Sequence, residues 1–208
     1  MPVKFEKRYK IAKPVHTAVA KFFKQRTTMD LEYILYDLGW FMVGSGAFSS
    51  VYENDKKPYI IKVNNRVDMS FAIFAQWVKQ HSNKHFPKIG EMKKYVVGGK
   101  KYYIYLIEKL YNVPISRDYA IYIENLTASF VLNFKTKNRL TDHEVIKNFV
   151  EDDCGGDMPS IFKSQPTLIS ACKSLALCYY KNKMALDIHD GNIMQRKNRT
   201  VVIIDPFA

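Results

Sequence analysis

The stretch Asp187-Ile188-His189-Asp190-Gly191-Asn192, followed by Asp205 at the end of the apolar run Val201-Val202-Ile203-Ile204, constrains this chain more than any other feature. An Asp and an Asn this close together on a loop can set one carboxylate beside an attacking hydroxyl and turn one amide oxygen toward a cation. Lys197-Asn198-Arg199 reads as the turn of a terminal hairpin, which carries Asn192 and Asp205 together. Two oxygen donors of this kind suit Mg²⁺. Chemistry that depends on placement and charge leaves little else in a sequence to find.

An upstream partner stands in the expected order. Val43-Gly44-Ser45-Gly46-Ala47-Phe48-Ser49-Ser50-Val51-Tyr52 reads as strand, glycine turn, strand, and Tyr59-Ile60-Ile61-Lys62-Val63 is an apolar strand interrupted by one lysine. Glycines at 44 and 46 let backbone approach phosphates closely, and a lysine in the next strand can reach them. Each piece alone has a plain reading: a hairpin turn, a solvated lysine, a strand-capping Asp205, a hydrogen-bonded loop His189. Their joint order and spacing point to a nucleotide-dependent phosphoryl-transfer site.

At these residues the chain resembles the protein-kinase-like superfamily. Asp-x-His-x-Gly-Asn is similar to the catalytic loops of aminoglycoside phosphotransferases, with His two positions after the Asp. The loop Asp187 to Met194, together with Asp205-Pro206, most resembles the early serine/threonine protein kinases of podovirus-type bacteriophages, the T-seven group. The resemblance runs over about residues 38 to 207, firm at both ends and weak between 112 and 165. It implies ATP and Mg²⁺ as cofactors. It implies Lys62 on the phosphates, with Gly44, Ser45, Gly46, Ala47, Phe48, Ser49 and Val51 around the nucleotide and Glu108 and Leu110 at the hinge. It also implies Asp187 as catalytic base, His189 near the γ-phosphate, and Asn192 and Asp205 on the metal.

The sequence departs from that pattern in three places. No glutamate lies between Lys62 and Glu91, so the helix expected over Ser70 to Gln80 cannot supply the usual ion pair. Asp68, Gln76 or Gln80 could replace it, or phosphate alone could hold Lys62. Pro206-Phe207 follows the metal Asp where a protein kinase has Phe-Gly, and the stiff proline argues against a flipping gate. The sequence stops at Ala208, with no activation segment after Asp205, so either it is a truncated product or its lower lobe is built from earlier residues. The long interval between Glu108 and Asp187 has room for the extra helices of the second reading.

Composition agrees with one catalytic unit. At 208 residues and 47% hydrophobic content the chain can bury a sizeable core. The net charge of +12 favours anionic partners such as nucleotides, acidic protein faces or nucleic-acid-bound complexes, and with the resemblance the expected partner is a host protein substrate, acidic or transcription-associated. The lysine clusters at 4 to 13, 56 to 57 and 93 to 101 read equally as solvated surface. Aromatic residues interleave with apolar positions as core residues do, which argues against direct nucleic-acid binding. Cys154, Cys172 and Cys178 have no metal-ligand spacing and read as reduced cytosolic thiols. The chain shows neither a signal core nor a membrane-spanning run, so the expectation is a cytoplasmic protein, in the host cell if viral.

Periodicity predicts helices over Val15 to Gln25 and Met29 to Leu38, with Thr27-Thr28 as capping candidates. Strands follow near 40 to 44, 50 to 53 and 58 to 63, then the helix of 70 to 80 with Phe71, Phe74, Ala75 and Val78 inward, then a hairpin turning at Gly98-Gly99. Helices are expected at 117 to 133, 141 to 150 and 166 to 182, with a capping box from Thr141 to Glu144. Asp152 to Asp157 reads as a loop. The expected fold is α+β and protein-kinase-like with two lobes. A helical extension (1 to 38) precedes a five-stranded antiparallel upper lobe (39 to 110) and a reduced, mostly helical lower lobe (111 to 208).

These readings lead to an expectation of ATP- and Mg²⁺-dependent transfer to serine or threonine of a host protein. A small-molecule kinase of the aminoglycoside type is a second possibility, motivated by His189. A kinase-like protein that binds and inhibits a host protein is a third, motivated by the missing glutamate.

Overall fold

The structure, a computed structural model, describes residues 31–208 apart from positions 47, 66, 67, 91, 98 and 138. The first expected helix, the Thr27-Thr28 caps, the lysine cluster at 4 to 13, and Ala47 and Gly98 of the two turns lie outside the described residues. The chain divides into two compact units. One comprises the described residues through Asp68 together with Ile89–Lys109, and the other Met69–Lys88 together with Leu110–Ala208.

The first unit holds the expected five-stranded antiparallel sheet and, among the described residues, one helix, α1 (Leu31–Asp37). The strands are β1 (Phe41–Ser45), β2 (Ser49–Glu53), β3 (Tyr59–Asn64), β4 (Lys93–Val97) and β5 (Lys100–Glu108), in the order β1-β2-β3-β5-β4. Alternation of side chains sorts the strands into two faces. Tyr52, Ile61 and Leu106 stand opposite one another and cluster with Tyr59, Val63 and the helix residues Leu31, Leu35 and Trp40. Gly39 makes that packing possible. It ends α1 at φ +77°, so Trp40 N–H returns to the Leu35 carbonyl at 2.9 Å and its indole turns onto the sheet. On the opposite face Val51, Lys62 and Tyr105 stand in register.

The second unit carries five helices among the described residues: α2 (Met69–Gln80), α3 (Ser116–Lys135), α4 (Asp142–Asp153), α5 (Ser160–Ser164) and α6 (Thr167–Asn182). A small sheet joins β6 (Tyr111–Asn112), β7 (Ile193–Gln195) and β8 (Val201–Ile203). Helices α3 and α6 pack along one another. Ile123, Leu126 and Phe130 of α3, and Leu168, Ala171, Cys172 and Leu175 of α6, recur at helical spacing and are fully buried. Each large side chain so buried contributes about 1.5–3 kcal/mol. Burial pushes the Cys172 and Cys178 thiols up to about 12, so both act as small apolar groups.

The expected capping box is present: Thr141 Oγ1 accepts from Glu144 N–H, and Glu144 accepts from Thr141 N–H at 2.7 Å. Helix α4 runs farther than its periodicity suggests. Asp152 and Asp153, read from sequence as loop, are its last residues, because Gly155 and Gly156 adopt positive φ and Gly156 N–H caps the Val150 carbonyl at 2.9 Å. Helix α2 also lies inside the 39 to 110 span expected to form the upper lobe, yet it belongs to the helical unit. Phe74 meets Phe86 and Phe207 edge to face, and Trp77 Nε1 donates to Ser174 Oγ on α6 at 3.0 Å.

After α2 the chain is pinned to β8 by His85, which is completely buried. Its Nδ1 donates to the Val201 carbonyl at 2.7 Å, so Nε2 accepts from the Thr167 hydroxyl at 2.9 Å. Its own carbonyl accepts from Ile203 N–H at 2.9 Å. Arg196 clamps the same segment by donating to the carbonyls of Lys84 and Phe86. The neutral ring is thus fully bonded, and burial lowers its pKa to about 4 from an ordinary 6.5.

The sign of the resulting pH dependence is fixed. The unfolded chain takes up the His85 proton first, so this contribution is whole above pH 6.5 and is lost as pH falls from 6.5 toward 4. Over that window the loss is roughly 3 kcal/mol. Urea unfolding at pH 7 and pH 4.5 should show it, and His85→Gln should lower stability at pH 7 while flattening the difference between the two pH values. Equal pH dependence in parent and variant would exclude His85 as the source.

Candidate active site

Two sets of candidate residues occur, one in each unit. In the sheet unit the glycine turn closes through Gly46 N–H to the Ser49 carbonyl at 2.8 Å, and Asn65 N–H ties the Phe48 carbonyl to the end of β3 at 3.0 Å. Gly44 and Ser45 on β1 pair with Val51 and Ser50 on β2 past a bulge after Met42. Neither Gly44 nor Gly46 has positive φ. A Cβ on Gly44 would meet nothing within 4 Å, and one on Gly46 only Ser49 Oγ at 3.9 Å. The fold itself therefore does not require glycine at either position.

Lys62 stands in the middle of β3, between Val51 and Tyr105, and is only 6% exposed. A buried ammonium is costly unless charge or phosphate meets it, so this position is unusual for a residue serving stability alone. Glu108 ends β5 and is also buried, while Lys109 N–H bonds the Pro58 carbonyl at 3.0 Å. Leu110, half-buried, opens the second unit.

In the helical unit the loop after α6 is fastened to the last residues by backbone. Leu186 bridges Phe207, Asp187 N–H donates to the Pro206 carbonyl at 2.8 Å, and Ile204 N–H donates to the Asn192 carbonyl at 3.0 Å. Asp205 thus sits between two residues that are each bonded to the 187–192 loop. Asn192 is 8% exposed, and its Nδ2 donates to the Asp187 carbonyl at 2.8 Å, so Oδ1 is the atom it can offer a cation. Asp187 is held entirely by its backbone and carries its carboxylate on the exposed side.

His189 caps the short 3₁₀ turn Asp190–Asn192. Gly191 N–H donates to His189 Nδ1 at 3.1 Å and to Asp190 Oδ1 at 2.9 Å. In the neutral ring this leaves the proton on Nε2, the nitrogen available to donate to an anion. A Cβ on Gly191 would come within 2.9 Å of His189 Cε1, so a larger residue there would displace the imidazole.

Asn192 Oδ1 and an Asp205 carboxylate are hard oxygen donors, the first just before β7 and the second two residues after β8. That set fits Mg²⁺, which takes one or two protein oxygens and completes its shell with phosphate and water. Among the described residues no three His, Cys, Asp or Glu side chains gather into a metal cage. The structure therefore brings Asp187, His189, Asn192 and Asp205 together in one unit and places Lys62, Val51 and the glycine turn on the sheet of the other. Sequence reading noted Pro206 as a stiff residue but missed that its carbonyl anchors Asp187. Its signal was the apolar pair Leu186 and Phe207 on either side of the loop.

A sequence-family model described as bacteriophage T7 protein kinase 0.7 matches residues 15–208, and the chain belongs to that family. No curated protein matches it. Among solved structures the Cydia pomonella granulovirus kinase PK-1 matches at 15% identity and a TM-score of 0.40, over 82% of this chain and 55% of that one. This chain thus spans about half the length of that kinase.

The bonding pattern separates the two loop side chains by stability. Asn192→Ala removes a buried donor from the Asp187 carbonyl and should cost about 1–3 kcal/mol. Asp187→Ala leaves both backbone bonds in place and should change stability by less than about 0.5 kcal/mol. Chemical denaturation of both variants checks this, and an equal loss in both would show that the Asp187 side chain is structural.

Proposed function

From membership of that family we propose that the chain is a phosphotransferase using ATP with Mg²⁺ to phosphorylate serine or threonine of a host protein in the host cytoplasm. The observation that carries this reading is the backbone fastening of the 186–192 loop to residues 204–207, which brings Asp187, Asn192 and Asp205 together through main-chain bonds. Asp187 accepts the proton of the acceptor hydroxyl as its oxygen attacks the γ-phosphorus and the ADP oxygen leaves. Lys62 and the turn from Gly44 to Val51 hold phosphates, and His189 Nε2–H donates to the transferring group. Mg²⁺ at Asn192 and Asp205 supplies charge neutralisation on the phosphate oxygens. The net charge of +12 supports an acidic protein as substrate.

Incubation with labelled ATP and Mg²⁺, alone and with bacterial lysate, followed by mass-spectrometric mapping, tests the reading. Label on Ser or Thr supports it. Label confined to small molecules would favour an aminoglycoside-type acceptor, and nucleotide binding without transfer would favour an inhibitory binder.

Two sets of variants resolve the roles. Asp205→Asn should abolish Mg²⁺-dependent nucleotide binding, and Lys62→Met should strongly reduce transfer; parental behaviour in both sinks the assignment. Asp187→Asn should leave ATP affinity within a few fold while transfer falls by roughly two to four orders of magnitude. Gly44→Ala, which meets no protein atom, should keep the parental melting temperature yet weaken ATP binding, as measured by calorimetry.

A further inference from the structure

The buried Lys62 lacks the helix-borne glutamate that usually fixes such a lysine, and the only carboxylate between it and Glu91 is Asp68. Lys62 and Asn64 are two apart on β3 and therefore share a face, and Tyr105 lies directly opposite Lys62 on β5. Asn64 is completely buried, and its Nδ2 donates to Asp68 Oδ2 at 3.3 Å. Residues two apart on a strand are separated by about 6–7 Å, roughly the reach of a lysine side chain. The Asp68 carboxylate is thus drawn to the face that carries the Lys62 ammonium.

A second observation agrees. The Tyr105 hydroxyl is pushed up to about 12, first by burial and then by the negative charge of Asp68, so that charge is felt at the residue paired with Lys62. Asn64 Oδ1 on this face is buried with no hydrogen-bond partner among the described residues. The other two candidates, Gln76 and Gln80, are uncharged and exposed on α2.

We propose that Asp68, held by Asn64, is the carboxylate that positions Lys62, so that the sheet unit supplies from its own loop the counter-charge a helix supplies elsewhere. Asp68 is a positioning residue: it fixes where the ammonium sits, and Lys62 makes the phosphate contact. The proposal rests on the reading of Lys62 given above.

The test uses the full chain and two readouts. The first needs no turnover: the rate at which an amine-reactive reagent labels Lys62 in the absence of nucleotide, followed by mass spectrometry. The second is phosphate transfer from ATP. Asp68→Asn should raise Lys62 labelling several-fold and lower transfer by 10- to 100-fold, with a melting temperature close to the parent. Asp68→Glu should restore both readouts. In the Lys62→Met background, Asp68→Asn should cause no further loss, because the two residues act as one unit. Unchanged labelling in Asp68→Asn, or a further loss on the Lys62→Met background, overturns the proposal. If the parent transfers no phosphate while Asp68→Asn still changes labelling, the phosphoryl-transfer reading fails and the positioning role of Asp68 stands.

Discussion

The helical unit depends on one short backbone contact, the hydrogen bond from Asp187 N–H to the Pro206 carbonyl. Main chain does this holding: the Asp187 N–H and carbonyl are both bonded, and neither bond uses its carboxylate. Proline suits the accepting side. Its ring fixes φ and removes a donor, so residue 206 presents a carbonyl in a stiff setting. Phe207, buried beside it, stacks edge to face on Phe74 of α2 at 6.1 Å. Asp205 is thereby held between Ile204, bonded to Asn192, and a proline locked by its aromatic neighbour. A hinge that flips this Asp would have to break all of these contacts together, so Pro206-Phe207 holds Asp205 in one place.

The strand that brings Asp205 into place is itself anchored from behind. Val201, Val202 and Ile203 are fully buried, and His85 reads two of their backbone groups while Thr167 of α6 holds its other nitrogen. This ties α2, α6 and β8 through a single imidazole whose neutral state satisfies every partner. Protonation would put a charge on a completely buried ring, so burial is what favours the neutral form of this anchor.

Much of this was legible because it is local. Helical spacing gave α2, α3, α4 and α6, alternation gave the five strands, and Thr141-x-x-Glu144 gave a cap that is present in detail. The motif order gave the loop and hairpin that unite Asp187, Asn192 and Asp205. What escaped is short or long-range. The five residues of α5 and the two of β6 carry too little pattern to show a period, and β6 exists only through its pairing with β7. The amphipathic pattern of α2 shows which side is buried, but not that Phe74 and Trp77 meet the helical unit. His85 gives no signal at all, since its partners Thr167 and Val201 are remote in the chain.

The sheet unit shows where stability and function part company. Its core face obeys every local rule, with Tyr52, Ile61, Val63 and Leu106 packed on Trp40 and α1. The other face breaks them. It buries the lysine of an otherwise apolar strand and a buried Asn64 whose Oδ1 lacks a partner among the described residues, while the adjoining turn keeps two glycines that neither backbone angle nor steric contact requires. Burying such groups costs several kcal/mol, and spare glycines add unfolded-state entropy, so selection for a stable sheet alone would remove them. Departures of this kind gather where a fold serves a ligand. A polyanion that approaches the backbone at Gly44 and Gly46 would account for the two glycines, and the triphosphate of a nucleotide has that chemistry.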